Sequence, residues 1–205
     1  MSRHTDETKT GGGFKPEMTA HRAICCQIID LGTHDTEWDG KVTGKAPEIN
    51  YTFEFVDIEL EHDGEKYHPM WGIREQKRLG PKNNMKKYLE GWRGRQFTTE
   101  ERENFDWGAP LGKPCLLVIG PNTKGNPKLM AISATKDKLE GTRDLREFWI
   151  EEEEINNPFP EWMPEWIRKI IEDSYEYSGK PEEEPGNPVD EVSTSDDEYE
   201  DDVPF

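Results

Sequence analysis

Cysteine is scarce in this 205-residue chain, with Cys25, Cys26 and Cys115 its only three. An odd count with two adjacent members excludes a disulfide framework. No Cys or His pairs fall at zinc-ligand spacing, so these residues read as buried, reduced thiols, and neither a metal nor a cofactor is expected. Hydrophobic residues are also few, at 32%. No apolar run approaches the ~20 residues that span a bilayer, and residues 1–18 lack the apolar core of a secretory signal. These absences predict a cytoplasmic protein (host-cell cytoplasm for a viral one) with no membrane partner. Signatures of catalysis are missing too. There is no phosphate-binding Walker loop and no nucleophile elbow. Asp30, Asp57, Glu59 and Glu61 fall into no metal-nuclease spacing, and His62 and His68 flank an expected turn. The chain does not read as an enzyme.

Charge of one sign is plentiful. The net charge is −18, but it is concentrated at one end. Residues 19–150 carry a net −1, residues 151–175 a net −6 and residues 176–205 a net −11. The acidity therefore belongs to the C-terminal quarter and does not exclude a polyanionic ligand for the rest. Within residues 66–95, nine Lys and Arg face only Glu75 and Glu90, a local +7. Tyr67, Trp71, Tyr88, Trp92 and Phe97 are interleaved with them. Cations that neutralise phosphates, together with flat rings that stack on bases, suit an unpaired nucleic-acid strand.

Residues 1–18 read as a disordered leader and 176–205 as a disordered acidic tail, leaving 19–175 as the folded domain. Residues 20–33 predict a strand and 34–47 a loop or short hairpin. Along 48–61, Ile49, Tyr51, Phe53 and Phe55 share one face before Val56, Ile58 and Leu60 take the opposite parity. That switch predicts a β-bulge. Asp63-Gly64 predicts a hairpin turn and 65–75 the returning strand, with Pro69 at an edge or bulge. Helices are expected over 85–90, stopped by Gly91, and over 99–106, opened by the capping box Thr98-x-x-Glu101. Strands follow over 113–120 and 128–136. Three strands, a helical segment and two strands is the order of an OB-fold, a mainly β, five-stranded Greek-key barrel. Trp162, Trp166 and Ile170 recur every four residues and predict one helical face, packed on the barrel or offered to a partner.

The chain closes with Asp196-Asp197-Glu198-Tyr199-Glu200-Asp201-Asp202-Val203-Pro204-Phe205. This ending resembles the acidic tip of bacterial single-stranded-DNA-binding proteins, which closes in Asp-Asp-(Ile/Val/Leu)-Pro-Phe. Such a tip offers one ring for a pocket, a terminal carboxylate for a basic residue, and acidic side chains for a basic rim. The resemblance implies that Asp201, Asp202, Val203, Pro204 and Phe205 recruit replication or recombination proteins. A second resemblance covers the body. Leu89-Glu90-Gly91-Trp92-Arg93-Gly94-Arg95-Gln96-Phe97-Thr98, then Glu100-Glu101 and Phe105, is similar to a block of phage-encoded single-stranded-DNA-binding proteins. So are Ile28-Ile29-Asp30-Leu31-Gly32-Thr33, Leu111-Gly112-Lys113-Pro114-Cys115 and Pro164-Glu165-Trp166. Together they imply an OB-fold and a role in viral DNA replication, recombination or repair, as a monomer or small homo-oligomer.

From the residues themselves, the ring candidates for base stacking are Tyr51, Tyr67, Trp71 and Trp92, with core packing the competing role for each. The phosphate candidates are Arg74, Lys77, Arg78, Lys86, Lys87, Arg93 and Arg95, the last two alternatively bracing the turn at Gly94. Lys124 and Lys128 flank the last inter-strand loop, where OB-folds often hold ligand. The rival reading is an acidic adaptor or DNA mimic that blocks a host nucleic-acid enzyme.

Overall fold

The computed structural model describes residues 14–150 and 158–179. Strand β1 (Ala20–Trp38) pairs antiparallel with β2 (Lys41–Phe55) along nearly its whole length. Asp39 and Gly40 close this hairpin at φ 52° and 73°. Two consecutive left-handed residues make the tight turn whose twist matches paired strands. The loop expected at 34–47 is thus the distal half of a long hairpin, and it forms a polar arm on which Asp35, Glu37, Lys41, Val42 and Thr43 are all exposed.

The alternation on β2 sets the main core. Ile49, Tyr51, Phe53 and Phe55 are fully buried there, as one face of a strand requires. The parity switch at Val56 marks the end of β2, not a bulge. The chain turns at Val56-Asp57, and the Val56 amide donates to the Arg22 carbonyl (3.0 Å). The bulges lie in β1, between Cys25 and Gln27, Asp30 and Gly32, and Thr36 and Glu37. The first of them shifts the inward parity from Ala23 and Cys25 to Ile28, and the alternating faces of the strand serve two cores. Ala23, Cys25 and Ile28 enter the main core, and Ile29 and Leu31 enter a second.

Asp63-Gly64 turns as expected, at φ 52° and 81°, but it joins a separate small hairpin of β3 (Leu60–His62) and β4 (Glu65–Tyr67). The returning strand is split at His68-Pro69. Only β5 (Met70–Gln76) pairs with β2, and the Pro69 carbonyl accepts from the Phe55 amide (3.0 Å). Helix α1 (Asn84–Arg93) runs through Gly91 and ends at Gly94, which takes the left-handed cap at φ 71°. Helix α2 (Thr99–Glu103) has the full capping box between Thr98 and Glu101. Strands β6 (Pro114–Pro121) and β7 (Pro127–Ser133) follow, and then a short β8 (Arg146–Phe148) that the sequence did not announce.

The sheet order is β5-β2-β1-β6-β7, with β8 parallel to β1 at Gln27–Ile29. The sheet is open: among the described residues no hydrogen-bonded pair joins β5 to β7. Helix α1 touches both strands. Its Tyr88 hydroxyl donates to the Leu129 carbonyl (3.0 Å), and the Ala134 amide donates to the Gly91 carbonyl (3.2 Å). The protein is therefore a mainly β fold with a curved antiparallel sheet and short helices.

At the N-terminal side, Phe14 stacks edge-on against Phe55 at 5.4 Å and Pro16 is buried, while Lys15, Glu17 and Met18 are exposed. At the other side, α3 (Glu165–Glu172) and α4 (Tyr175–Ser178) cover the outer face of β1. The buried stripe is Met163, Ile167 and Ile171, one residue along from the expected Trp162, Trp166 and Ile170; Trp166 is exposed. Residues 176–178 are part of α4. No helix among the described residues is long and apolar enough to cross a membrane. The tip Asp201–Phe205 lies outside the described residues.

Candidate nucleic-acid interface

Folding pairs off most of the charge in the basic stretch. Lys66 meets Glu59 (2.5 Å), Lys77 meets Asp30 (2.6 Å), Lys86 meets Glu90 (2.8 Å), and Arg74 pairs with Glu48. Arg93 and Arg95 both reach Glu101, at 2.6 and 2.5 Å. Arg93 also lies over the Phe97 ring, 4.2 Å from its centroid. These two arginines hold the α1–α2 turn, which is the bracing alternative. Bonds from Arg95, the Thr98 amide and Arg93 pull the Glu101 carboxyl down to about 2. Lys82, Lys87 and Lys124 are exposed and make no ion pair with another described residue. Lys128 is exposed on β7 and acts electrostatically on Glu75, whose carboxyl is raised by burial against the opposing pull of Asn84.

Two of the four ring candidates are core residues. Tyr51 is fully buried, its hydroxyl donates to the Trp107 carbonyl (2.9 Å), and burial pushes its phenol up. Trp92 is 9% exposed, packs on Phe53, and donates Nε1–H to the Pro114 carbonyl (2.8 Å). Neither presents a ring face to a ligand, which corrects the expectation. Buried Tyr and Trp find a partner for the polar tip while the ring fills the core. Tyr67 is 38% exposed on the β3–β4 hairpin. Trp71 is half-buried and packs toward Phe55. Trp71 and Arg74 lie three positions apart on β5, hence on opposite faces, so one strand of nucleic acid on one face does not use both.

Past the end of β5 the structure brings Lys77 and Arg78 against β2, while Arg74 on β5 pairs with Glu48 of β2. The Lys77 amide donates to the Pro47 carbonyl (2.7 Å), and the Arg78 guanidinium donates to the Lys45 carbonyl (2.6 Å). Lys45 thereby joins the group, with its ammonium 3.8 Å from the centroid of the Tyr175 ring. Lys77 sits 5.2 Å from the Trp149 ring. Lys45, Trp149 and Tyr175 were missed because they come from three distant segments, which β8 and α4 carry to the base of the hairpin arm.

That base is tightly built. Gly32, at φ 80°, lies where a Cβ would be 2.6 Å from the Ser174 Cβ, so only glycine lets α4 approach β1 so closely. The Glu176 carboxylate accepts from the Thr33 amide (2.8 Å) and hydroxyl (2.7 Å). Burial pushes this carboxyl up, but the Thr33 bonds outweigh it and the net shift is downward. The Tyr175 hydroxyl donates to Asp35 (2.5 Å). Glu176 and Asp35 are thus engaged by Thr33 and Tyr175, while Asp30 and Glu48 pair with Lys77 and Arg74.

Burial pushes the Cys26 thiol up to about 12 and raises Cys25 and Cys115 as well, so all three stay protonated and unreactive. Among the described residues no group of His, Cys, Asp or Glu is placed to hold a metal ion. The cleft lined by Glu75, Gln76, Lys82, Asn83 and Asn84, about 260 Å³, contains no ring for a base. No family model, curated protein or solved structure matches the chain.

Proposed function

We propose that this protein binds single-stranded DNA without sequence preference through an OB-type sheet. In this reading it protects the strand during phage DNA replication, recombination or repair in the host cytoplasm. The observation that carries the reading is topological. Counting only β1, β2, β5, β6 and β7, the strands follow the OB order, with α1 between the third and the fourth. The bonded closure of a barrel is replaced by the contacts of α1 with β5 and β7. Single-strand binders of this type combine a cationic track with stacking rings. Lys45, Arg74, Lys77 and Arg78 at the arm base, with Lys87, Lys124 and Lys128 elsewhere, supply the cations. Exposed ion pairs contribute only ~0–1 kcal/mol, so arginines paired at the surface, such as Arg74, can exchange a carboxylate for a phosphate. The acidic tip Asp201–Phe205 recruits replication or recombination proteins.

One observation favours a second reading. With Lys66, Arg74, Lys77, Lys86, Arg93 and Arg95 all paired, the free cationic surface is smaller than the composition suggests. An acidic adaptor or DNA mimic needs no such surface. Tryptophan fluorescence titration with poly(dT) and with an equal length of duplex, at several salt concentrations, separates the two. Quenching by poly(dT) alone, with log K falling against log salt by about 0.7 per neutralised phosphate, supports single-strand binding. No binding at low salt, together with tight binding to a basic nucleic-acid enzyme, supports the mimic.

A further inference from the structure

We infer that the C-terminal extension supplies base-stacking platforms to the DNA site, with Tyr175 and Trp149 as the rings and Lys45, Lys77 and Arg78 as their phosphate partners. The inference rests on the single-strand reading above and adds ring partners to it, since Tyr51 and Trp92 are core residues and only Tyr67 and Trp71 remain of the expected rings.

The geometry argues it in three steps. First, two ring–cation pairs are joined through the backbone of Lys45 and the neighbours Lys77 and Arg78. Tyr175 lies under Lys45 (3.8 Å), the Lys45 carbonyl accepts from Arg78 (2.6 Å), and adjacent Lys77 lies toward Trp149 (5.2 Å). Two ring–cation pairs linked in this way offer an unpaired strand stacking faces for its bases and cations for its phosphates. Second, a cation over a ring face marks that face as electron-rich, and a base can stack on the same surface while the ammonium moves to its phosphate. Lys45 can move in this way because, among the described residues, it has no carboxylate partner. Lys77 is held by Asp30, with 22% of its side chain exposed, so Trp149 is the more fixed platform. Third, of the described acids nearest Tyr175, two are engaged by hydrogen bonds, while Asp30 holds Lys77. Asp35 is engaged by the Tyr175 hydroxyl and Glu176 by Thr33. Tyr175 is therefore held from one side by its hydroxyl and from the other by α4, a preorganised ring on a short helix.

Base–aromatic stacking of ~1–3 kcal/mol corresponds to a loss of about five- to hundredfold when one ring is removed. The test uses the full chain. Oligo(dT) carrying 5-iododeoxyuridine is irradiated with the protein, and the adducts are mapped by mass spectrometry. In parallel, Tyr175→Phe and Tyr175→Leu are titrated with oligo(dT). We expect adducts at Tyr175 or Trp149, near-parental affinity for Tyr175→Phe, and about tenfold weaker binding for Tyr175→Leu. If the parent binds but its adducts fall only on Tyr67 or Trp71, or if Tyr175→Leu binds as tightly as Tyr175→Phe, the inference is wrong and the single-strand reading stands. If the parent does not bind, the single-strand reading itself has failed and this inference falls with it. The crosslink is read on the parent protein, so a variant that folds poorly cannot decide the outcome.

Discussion

Gly91 sits inside α1, where alanine is ordinarily the better helix former by ~0.8–1.0 kcal/mol. Here a Cβ would lie 2.3 Å from the Ile132 carbonyl oxygen of β7. Backbone on both sides leaves little room to yield, and overpacking of this kind costs ~1–3 kcal/mol. Gly91→Ala should therefore lower the stability by about 1–2 kcal/mol in urea unfolding, the opposite sign from propensity. A stabilised variant would mean that α1 and β7 are farther apart than described. Glu101 makes a second prediction at this scale. Its carboxyl is lowered from 4.5 to about 2 by Arg95, the Thr98 amide and Arg93. A group with a depressed folded pKa contributes stability above its ordinary pKa and loses that contribution as the pH falls through the folded value. The parent should thus lose stability between pH 4.5 and about pH 2, while Glu101→Gln, uncharged throughout, should show a shallower acid limb in thermal melts. Equal acid limbs would show that the arginines do not hold the turn through this carboxylate.

Segments that carry their own signal were legible as elements. The Asp63-Gly64 turn and the Thr98–Glu101 capping box form because local chemistry specifies them, and the inward stripe of β2 forms because alternation does. Elements specified by distant contacts were not legible. β8 is three residues, Arg146-Glu147-Phe148, and its parallel partner lies more than a hundred residues earlier. The face of α3 was misread by one position because Met163, Ile167 and Ile171 carry the same four-residue spacing as Trp162, Trp166 and Ile170, and the first set is the buried one, with Trp162 and Ile170 at its margin. The burial of Trp92 did have a signal. Met85, Tyr88, Leu89 and Trp92 follow the i, i+3, i+4, i+7 pattern of a buried helical stripe, and all four are buried. The segment between β7 and β8 also depends on a distant contact. Glu54 is fully buried and accepts from the Thr142 amide (3.0 Å) and hydroxyl (2.5 Å) and the Arg143 amide (3.3 Å). Glu54→Ala strips these donors of a charged acceptor, and a hydrogen bond to a charged group is worth ~1.5–3 kcal/mol. Hydrogen exchange at Thr142 and Arg143 should accelerate with that loss. Unchanged protection there would mean that the segment is held by something other than Glu54.

Across the whole molecule, the boundary between folded unit and acidic tail falls later than composition alone suggests, and this decides how the tail should be tested. Residues 180–205 hold eleven Asp and Glu against one Lys, so removing them takes the net charge from −18 to −8. Glu176, by contrast, holds Thr33 at the base of the arm, and Tyr175 pairs with Asp35 and Lys45. A cut before Glu176 therefore damages the fold and the proposed ring site together. A tethered polyanion is present at high effective concentration around its own domain and competes with DNA for Lys45 and Arg78. This competition is screened by salt, since the Debye length falls from about 30 Å at 0.01 M to ~10 Å at 0.1 M. A chain ending at Gly179 should melt like the parent and bind oligo(dT) more tightly at low salt, with the difference closing as salt rises. A chain ending at Tyr175 should melt earlier. Equal affinity of the parent and the Gly179-terminated chain at low salt would show that the tail does not reach the cations and acts on partner proteins alone.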